Sequence, residues 1–307
     1  MRAMPRLRRA AGADAGTLLL LLGIGLFWGL NWPAVRIGLT ELQPFTLRSV
    51  GFVAGGGILA LIARLRGEAL MPRREELPRL VLAGLLSVMG FNVLTAFGQL
   101  ATETSRAAIL AFTMPLWATL MATAMGERLT GERIVALLAG MAGLMLLLGP
   151  DLLVAGGSPL GSLLVLGAAV SWAAGTLVLK SRTWSLGPVA LAAWLIGVST
   201  PPVLLGSALL EQPWQLGWPS PPVVGAMLYH IALPMVFCHA AWVTLVGRLP
   251  APVAAIGTLL IPVVGVISAV LLLGEPLGAR KLAALLLVTG AVATVLVGPA
   301  LRRGPGS

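Results

Sequence analysis

The sequence predicts an all-α polytopic membrane protein with ten transmembrane helices, arranged as two inverted five-helix repeats. Three observations carry this expectation. Of 307 residues, 58% are apolar and only 10% charged, whereas about a quarter of a soluble domain is charged. The apolar residues form long runs without alternation, which argues against a β-barrel. Finally, an ordered series of residues recurs in the two halves of the chain.

One spanning helix takes roughly 20 apolar residues. Ten segments of that kind run at about 17–38, 44–64, 78–99, 105–126, 132–149, 160–180, 188–209, 221–246, 251–273 and 280–298. The first follows the basic tail Arg2, Arg6, Arg8 and Arg9. It lacks a small-residue cleavage site, so it reads as a retained span and not a signal peptide. Turn chemistry separates many of the others: Gln43-Pro44, Met71-Pro72, Gly149-Pro150, Gly156 to Pro159, Gly187-Pro188 and Pro219 to Pro222.

The net charge of +10 sits in short clusters between apolar runs, as loop charges do in membrane proteins, so nucleic acid is not an expected partner. With the N-terminus inside, the tail, Arg64 to Arg79, Arg128, Arg133, Lys180, Arg182, Arg248, Arg302 and Arg303 all fall on the cytoplasmic side. Arg36, Arg48, Arg106, Arg280 and Lys281 fall at or near the outer side. This asymmetry places both termini in the cytoplasm. The single cysteine, Cys238, excludes an intrachain disulfide and a cysteine-based metal site, and neither a metal nor a cofactor is expected.

The repeat is read from offsets. Trp28, Arg36 and Pro44 are matched 144 residues later by Trp172, Lys180 and Pro188. Ala107 to Ile109 with Pro115 match Ala254 to Ile256 with Pro262. Gly126-Glu127 matches Gly274-Glu275, and Gly149-Pro150 matches Gly298-Pro299. The halves are 1–150 and 151–307. Five spans per half is odd, so the second half enters the membrane from the opposite side, the arrangement that permits alternating access.

These residues resemble the drug/metabolite transporter superfamily, specifically its ten-helix EamA-type members. The shared pattern is Trp28-Gly29, Arg36, Pro44 and Arg48, then Ser105 to Pro115 and Gly126-Glu127. It recurs as Trp172, Pro188, Arg248 to Ala254, Pro262 and Gly274-Glu275. Arg48 has no counterpart, because Ala192 stands there. The resemblance implies a transporter of the bacterial inner membrane, and within the family an exporter of amino acids.

Candidate site residues follow from polarity inside the spans. Asn92, Thr95 and Gln99 form a stripe on one face of the third span, and His239 with Trp242 stands opposite Asn92 at offset 147. These residues either line a cavity or form buried interhelical bonds. Asn31, Trp32 and Trp172 bring an amide and indoles into the first and sixth spans. Met114 and Trp117 form an adaptable apolar wall or ordinary packing, and Thr258 lies on the facing ninth span. Pro115 and Pro262 fall mid-helix at equivalent points and read as hinges beside the path, or as tolerated kinks. The Gly126-Glu127 and Gly274-Glu275 pairs read as tight turns with salt bridges to nearby arginines.

No Asp or Glu lies well inside a span, which argues against carboxylate-coupled pumping. The expectation is a monomeric facilitator in the lipid bilayer, not an enzyme. Its substrate is a small neutral or zwitterionic solute, such as an amino acid with a bulky side chain. The alternative is a proton-coupled drug or metabolite antiporter that uses histidine.

Overall fold

In the computed structural model, residues 15–127, 130–153, 159–246 and 251–301 are described, with side chains described except at 15, 17–18, 149–153, 245–246, 251–258 and 295–301. Ten helices follow one another: α1 (Ala15–Gly38), α2 (Pro44–Leu65), α3 (Arg74–Ala101), α4 (Thr104–Ala124), α5 (Gly131–Leu153), α6 (Leu160–Lys180), α7 (Pro188–Glu211), α8 (Pro221–Thr244), α9 (Ala251–Leu273) and α10 (Ala279–Leu301). Eight helices are long and apolar enough by themselves to cross a membrane among the described residues. α9 and α10 contribute 23 residues each, about 34 Å of helix at 1.5 Å per residue.

The helix ends follow local chemistry. Pro44, Pro188 and Pro221 open α2, α7 and α8, where proline loses no hydrogen bond and already has a helical φ. Gly126 and Gly274 end α4 and α9 at φ 100° and 68°. A side chain is strained in that region, so both Gly-Glu pairs need their glycine.

The packing repeats with two-fold logic. α2 packs on α7 and α5 on α10, each with its own counterpart. α1 packs between α8 and α9, and α6 between α3 and α4. Close approach is built into the sequence at Gly175, where an added Cβ would stand 2.5 Å from the Ser87 backbone nitrogen of α3. α3 and α8 both carry a π-helical stretch at matching depth, Leu85–Gly90 and Ile231–Cys238. The outer face of the bundle exposes large apolar side chains such as Leu61, Val135, Leu209 and Leu271. Lipid covers such surface without cost where the backbone groups beneath it are paired within the helices.

Carboxylates tie the two repeats together at helix N-termini. Glu211 at the end of α7 accepts the Phe45 and Thr46 N–H groups at the start of α2, at 2.8 and 2.6 Å, and the Thr46 hydroxyl at 2.8 Å. At the opposite face Glu68, just after α2, accepts the Ala190 N–H at the start of α7 at 2.9 Å. Thr46 and Ala190 are counterparts at offset 144, so the α2–α7 pair is fastened at both ends.

A second pair has its chemistry exchanged. Glu41, between α1 and α2, accepts the Ser220 N–H ahead of α8 at 2.7 Å, and the Ser220 hydroxyl as well. These bonds hold the Glu41 carboxyl below the usual carboxylate range. At the other face Glu76, at the start of α3, accepts the Ser185 N–H and hydroxyl at 2.9 and 2.6 Å. Glu41 matches Ser185 and Glu76 matches Ser220, both at offset 144.

Each α2–α7 cap satisfies N–H groups that have no partner within their own helix. Replacing Glu211 or Glu68 with Ala should cost about 1–2 kcal/mol of stability. The two sites are at opposite ends of the pair, so the losses should add. Thermal unfolding of the two single variants and the double variant in detergent checks this.

Candidate functional site

The centre of the bundle is built on two tryptophans at equivalent positions. Trp28 of α1 and Trp172 of α6 meet edge to face, with centroids 6.5 Å apart, so both lie beside the pseudo-two-fold axis. Trp242 stands 5.8 Å and the His239 ring 5.7 Å from Trp28, and Phe91 stands 5.0 Å from Trp172. The Pro234 carbonyl, inside the π-helical stretch of α8, accepts both the Trp28 indole N–H at 3.3 Å and His239 Nδ1 at 2.9 Å. A carbonyl can only accept, so Nδ1 carries a proton, and in the neutral imidazole Nε2 is then the acceptor. Nε2 is buried and unpartnered.

These rings wall a cavity of about 350 Å³, the size of a small-molecule site. Asn31, Trp32, Asn92, Thr95, Gln99, Met114, Pro115, Trp172, His239 and Trp242 all line it. Sequence reasoning assembled these from five helices. Trp117 does not line it. α4 is interrupted at Phe112 and Thr113, and the second half turns Met114, Ala118 and Ala122 inward. Trp117 therefore lies off that face, with its indole donating to the Thr113 hydroxyl at 3.1 Å. The Thr258 side chain lies outside the described residues. The two mid-helix prolines also differ: Pro115 opens the second half of the broken α4, whereas α9 continues through Pro262. Pro262 does not line the cavity.

The polar stripe on α3 largely serves its own helix. Asn92 donates to the Val88 carbonyl at 2.9 Å and Thr95 to the Phe91 carbonyl at 2.8 Å. Asn31 meets His230 Nδ1 at 2.7 Å, which places His230 behind the lining.

The residue whose role sequence reasoning missed is Arg48. As the fifth residue of α2 it does lie near the outer end of its span, but it is buried, 2% exposed. Its Nε donates to the Asn92 carbonyl at 2.9 Å and its Nη2 approaches Thr95 Oγ1 at 3.4 Å. It lines the cavity, and Nη1 is buried without a partner. The signal was present: an ionisable side chain inside an apolar run is a site candidate by default. Phe91 and Met235 also line the cavity without having been singled out, and Trp28, read only as part of the repeat, lines it as well.

Among the described residues the cavity reaches one face. Glu127, Arg133 and Lys180 line its mouth, at the face where α1 begins and α10 ends. This is the terminal face. Toward the opposite, distal face, Val35, Leu39, Leu42, Leu47, Val223 and Met227 pack into a buried apolar plug. The Arg36 guanidinium ties α1 to the Gln99 carbonyl of α3. Glu275 accepts the Thr104 and Ser105 N–H groups at 2.6 and 2.8 Å, and the Ser105 hydroxyl at 2.5 Å, closing α9 onto the start of α4. Lys281 pairs with Glu103 at 2.7 Å beside it. Thus Glu275 caps a helix instead of pairing with an arginine. Its counterpart Glu127 is exposed and pairs with Arg133 at 3.2 Å.

A ten-helix inverted-repeat bundle with a central cavity open to one face is the architecture of a membrane transporter. The profile of the EamA-like transporter family matches residues 15–149 and 159–297, and the chain belongs to that family, within the drug/metabolite transporter superfamily. It is similar to the uncharacterized transporter YvbV of Bacillus subtilis (strain 168), 26% identical over 289 residues, covering 91% of each chain. It is also similar to the uncharacterized inner membrane transporter YedA of Escherichia coli (strain K12), 26% identical, covering 91% of this chain and 90% of that one. A probable amino-acid metabolite efflux pump of Escherichia coli (strain K12) is 27% identical, covering 90% of this chain and 92% of that one. A solved crystal structure shares the fold, with a TM-score of 0.67 at 21% identity, covering 95% of this chain and 99% of that one.

The Glu275 contact generates a pH prediction. Burial pushes its carboxyl up, but the Ser105 hydroxyl, the Ser105 and Thr104 N–H groups and Lys281 outweigh this and hold it below the ordinary carboxylate range. A depressed carboxyl stabilises the closed face fully above its ordinary pKa, and that stability is lost as pH falls through the lowered value. Neutral pH should therefore keep the distal face shut. Glu275→Ala should open it at any pH. The readout is a cysteine at Ala108, which lines the cavity, in a Cys238→Ala background. An impermeant maleimide added from the distal side should label it several-fold faster in the Glu275 variant.

Proposed function

We propose that the protein exports amino acids or similar small metabolites from the bacterial cytoplasm by alternating access, as a facilitator. The observation that carries this reading is the aromatic cavity, open to the terminal face and sealed toward the distal face. The asymmetry of basic residues supports a cytoplasmic terminal face, with both termini on that side. The cavity is then loaded from inside. Trp28, Trp172, Trp242 and Phe91 suit a bulky apolar side chain. The relative named as a probable amino-acid metabolite efflux pump supports the same substrate class. In this reading the repeats 1–150 and 151–307 exchange roles, with the broken α4 at Pro115 as one hinge.

Facilitation rests on the state of the acidic residues. Glu76 and Glu211 are the buried carboxylates among the described residues. Both are committed to helix or loop N–H groups, so neither is free to carry a proton through a transport cycle. His239 is the specific observation behind the second reading, a proton-coupled antiporter, since its Nε2 faces the cavity region unpartnered.

Proteoliposomes holding the purified protein distinguish the two. Labelled L-phenylalanine, L-leucine, a nucleoside and a sugar are offered with and without a pH gradient. The expected result is saturable uptake and counterflow of the amino acids, with the gradient changing the rate but not the final level. Accumulation against a concentration difference, driven by the gradient and lost in His239→Leu, would establish the antiporter instead. For orientation, a reporter fused after Gly67 should read as cytoplasmic and one after Gly217 as external.

A further inference from the structure

We propose that Arg48 is the anchor for a carboxylate group on the substrate. This rests on the reading of the cavity as a transport site, and deepens it by naming the chemical group that the site recognises.

A guanidinium offers five N–H donors and cannot shed its charge in a protein. At Arg48 the structural work is done by one edge. Nε holds the Asn92 carbonyl and Nη2 the Thr95 hydroxyl, so the plane of the group is fixed against α3. The remaining nitrogen, Nη1, is buried, has no partner and belongs to a side chain that lines the cavity. No carboxylate among the described residues pairs with Arg48.

A tie between α2 and α3 needs only a neutral donor, which a glutamine or histidine would supply. Retaining a full charge there, within the apolar layer, is costly unless an anion completes it. Such an anion comes with the substrate. The pre-fixed guanidinium then binds it with little loss of side-chain freedom.

The position of Arg48 adds a directional constraint. Its counterpart is Ala192, which is buried against α2, so the charge stands on one side of the pseudo-two-fold axis only. A substrate held there has its carboxylate toward the distal end of the cavity, near Gln99 and Val35. Its apolar portion then lies among Trp28, Trp172 and Phe91. The cavity therefore selects for one end of the molecule before it selects for the side chain.

The test is a ligand series on the intact protein in nanodiscs, read by calorimetry. L-phenylalanine, phenethylamine (the same ring and ammonium without the carboxylate) and 3-phenylpropanoate (the carboxylate without the ammonium) are compared. A charge-assisted bond to the carboxylate should make phenethylamine about ten- to a hundredfold weaker than L-phenylalanine on the wild type. Arg48→Met should abolish that discrimination, and it should bind phenethylamine at least as well as the wild type does, because a like charge has been removed. Arg48→Lys should keep part of the discrimination.

Equal binding of L-phenylalanine and phenethylamine by the wild type would overturn the proposal without the need for any variant to fold. So would a folded Arg48→Met that still prefers the carboxylate. If neither amine-bearing compound binds but 3-phenylpropanoate does, and needs Arg48, the amino-acid reading fails while the anchor stands. If no carboxylate compound binds, both fail.

Discussion

Every helix leaves its first N–H groups without intrahelical partners, and inside an apolar slab water is a poor substitute. In this bundle carboxylates from the opposite repeat take those groups. Glu211 serves α2, Glu68 serves α7 and Glu275 serves α4. A formal charge placed at a helix N-terminus meets both the donors and the positive end of the helix dipole. These few bonds therefore decide how the halves are fastened. Where the bond exists at both faces, as for α2 and α7, the pair acts as a strut. Where it is found at the distal face, as for Glu275, it holds one end of the cavity closed while the other stays open.

The interior follows from the same economy of polar groups. The π-helical stretch of α8 presents the Pro234 carbonyl, which holds a tryptophan and a histidine together. That single oxygen orients two members of the cavity wall. On the other side Arg48 is held by a carbonyl and a hydroxyl of α3, just after the equivalent π-helical stretch. Side chains fixed by the backbone in this way need little reordering when a ligand arrives, which favours affinity.

Much of this was legible in the chain. Length and apolarity of the runs located the helices to within a few residues, because a bilayer fixes how long a span must be. The offsets of Trp28, Pro44 and Gly126 revealed the repeat, because an inverted duplication keeps equivalent residues at equivalent depths. The polar residues inside the spans led to Asn31, Asn92, Thr95, Gln99 and His239 in the cavity wall. Trp117 went astray because an i, i+3 step from Met114 was taken as the inward row, whereas the cavity takes the i, i+4 row Met114, Ala118 and Ala122. Arg48 was passed over as a site residue because counting charges near span ends treats an arginine as a loop charge. Only the rotation of α2 about its axis, set by packing against α7 and α8, turns it inward. The Glu contacts between the repeats were invisible for a related reason: each joins residues more than 100 positions apart, and no local pattern records the meeting.

The exchanged Glu41–Ser220 and Glu76–Ser185 contacts bear on how the two halves relate as separate pieces. An inverted repeat invites the idea that either half could pair with a second copy of itself in opposite orientation. For the first half, such a pairing would bring Glu41 of one copy against Glu76 of the other, two carboxylates where a donor is required. For the second half it would bring Ser185 against Ser220, two hydroxyls with no carboxylate to gather the N–H groups. Only the unlike combination places an acid opposite a donor at both faces. The ancestral symmetry has thus been converted into complementarity, and each half now carries a recognition code for the other. Co-expressed halves would sort into mixed pairs for the same reason that acid and base strands of a zipper do.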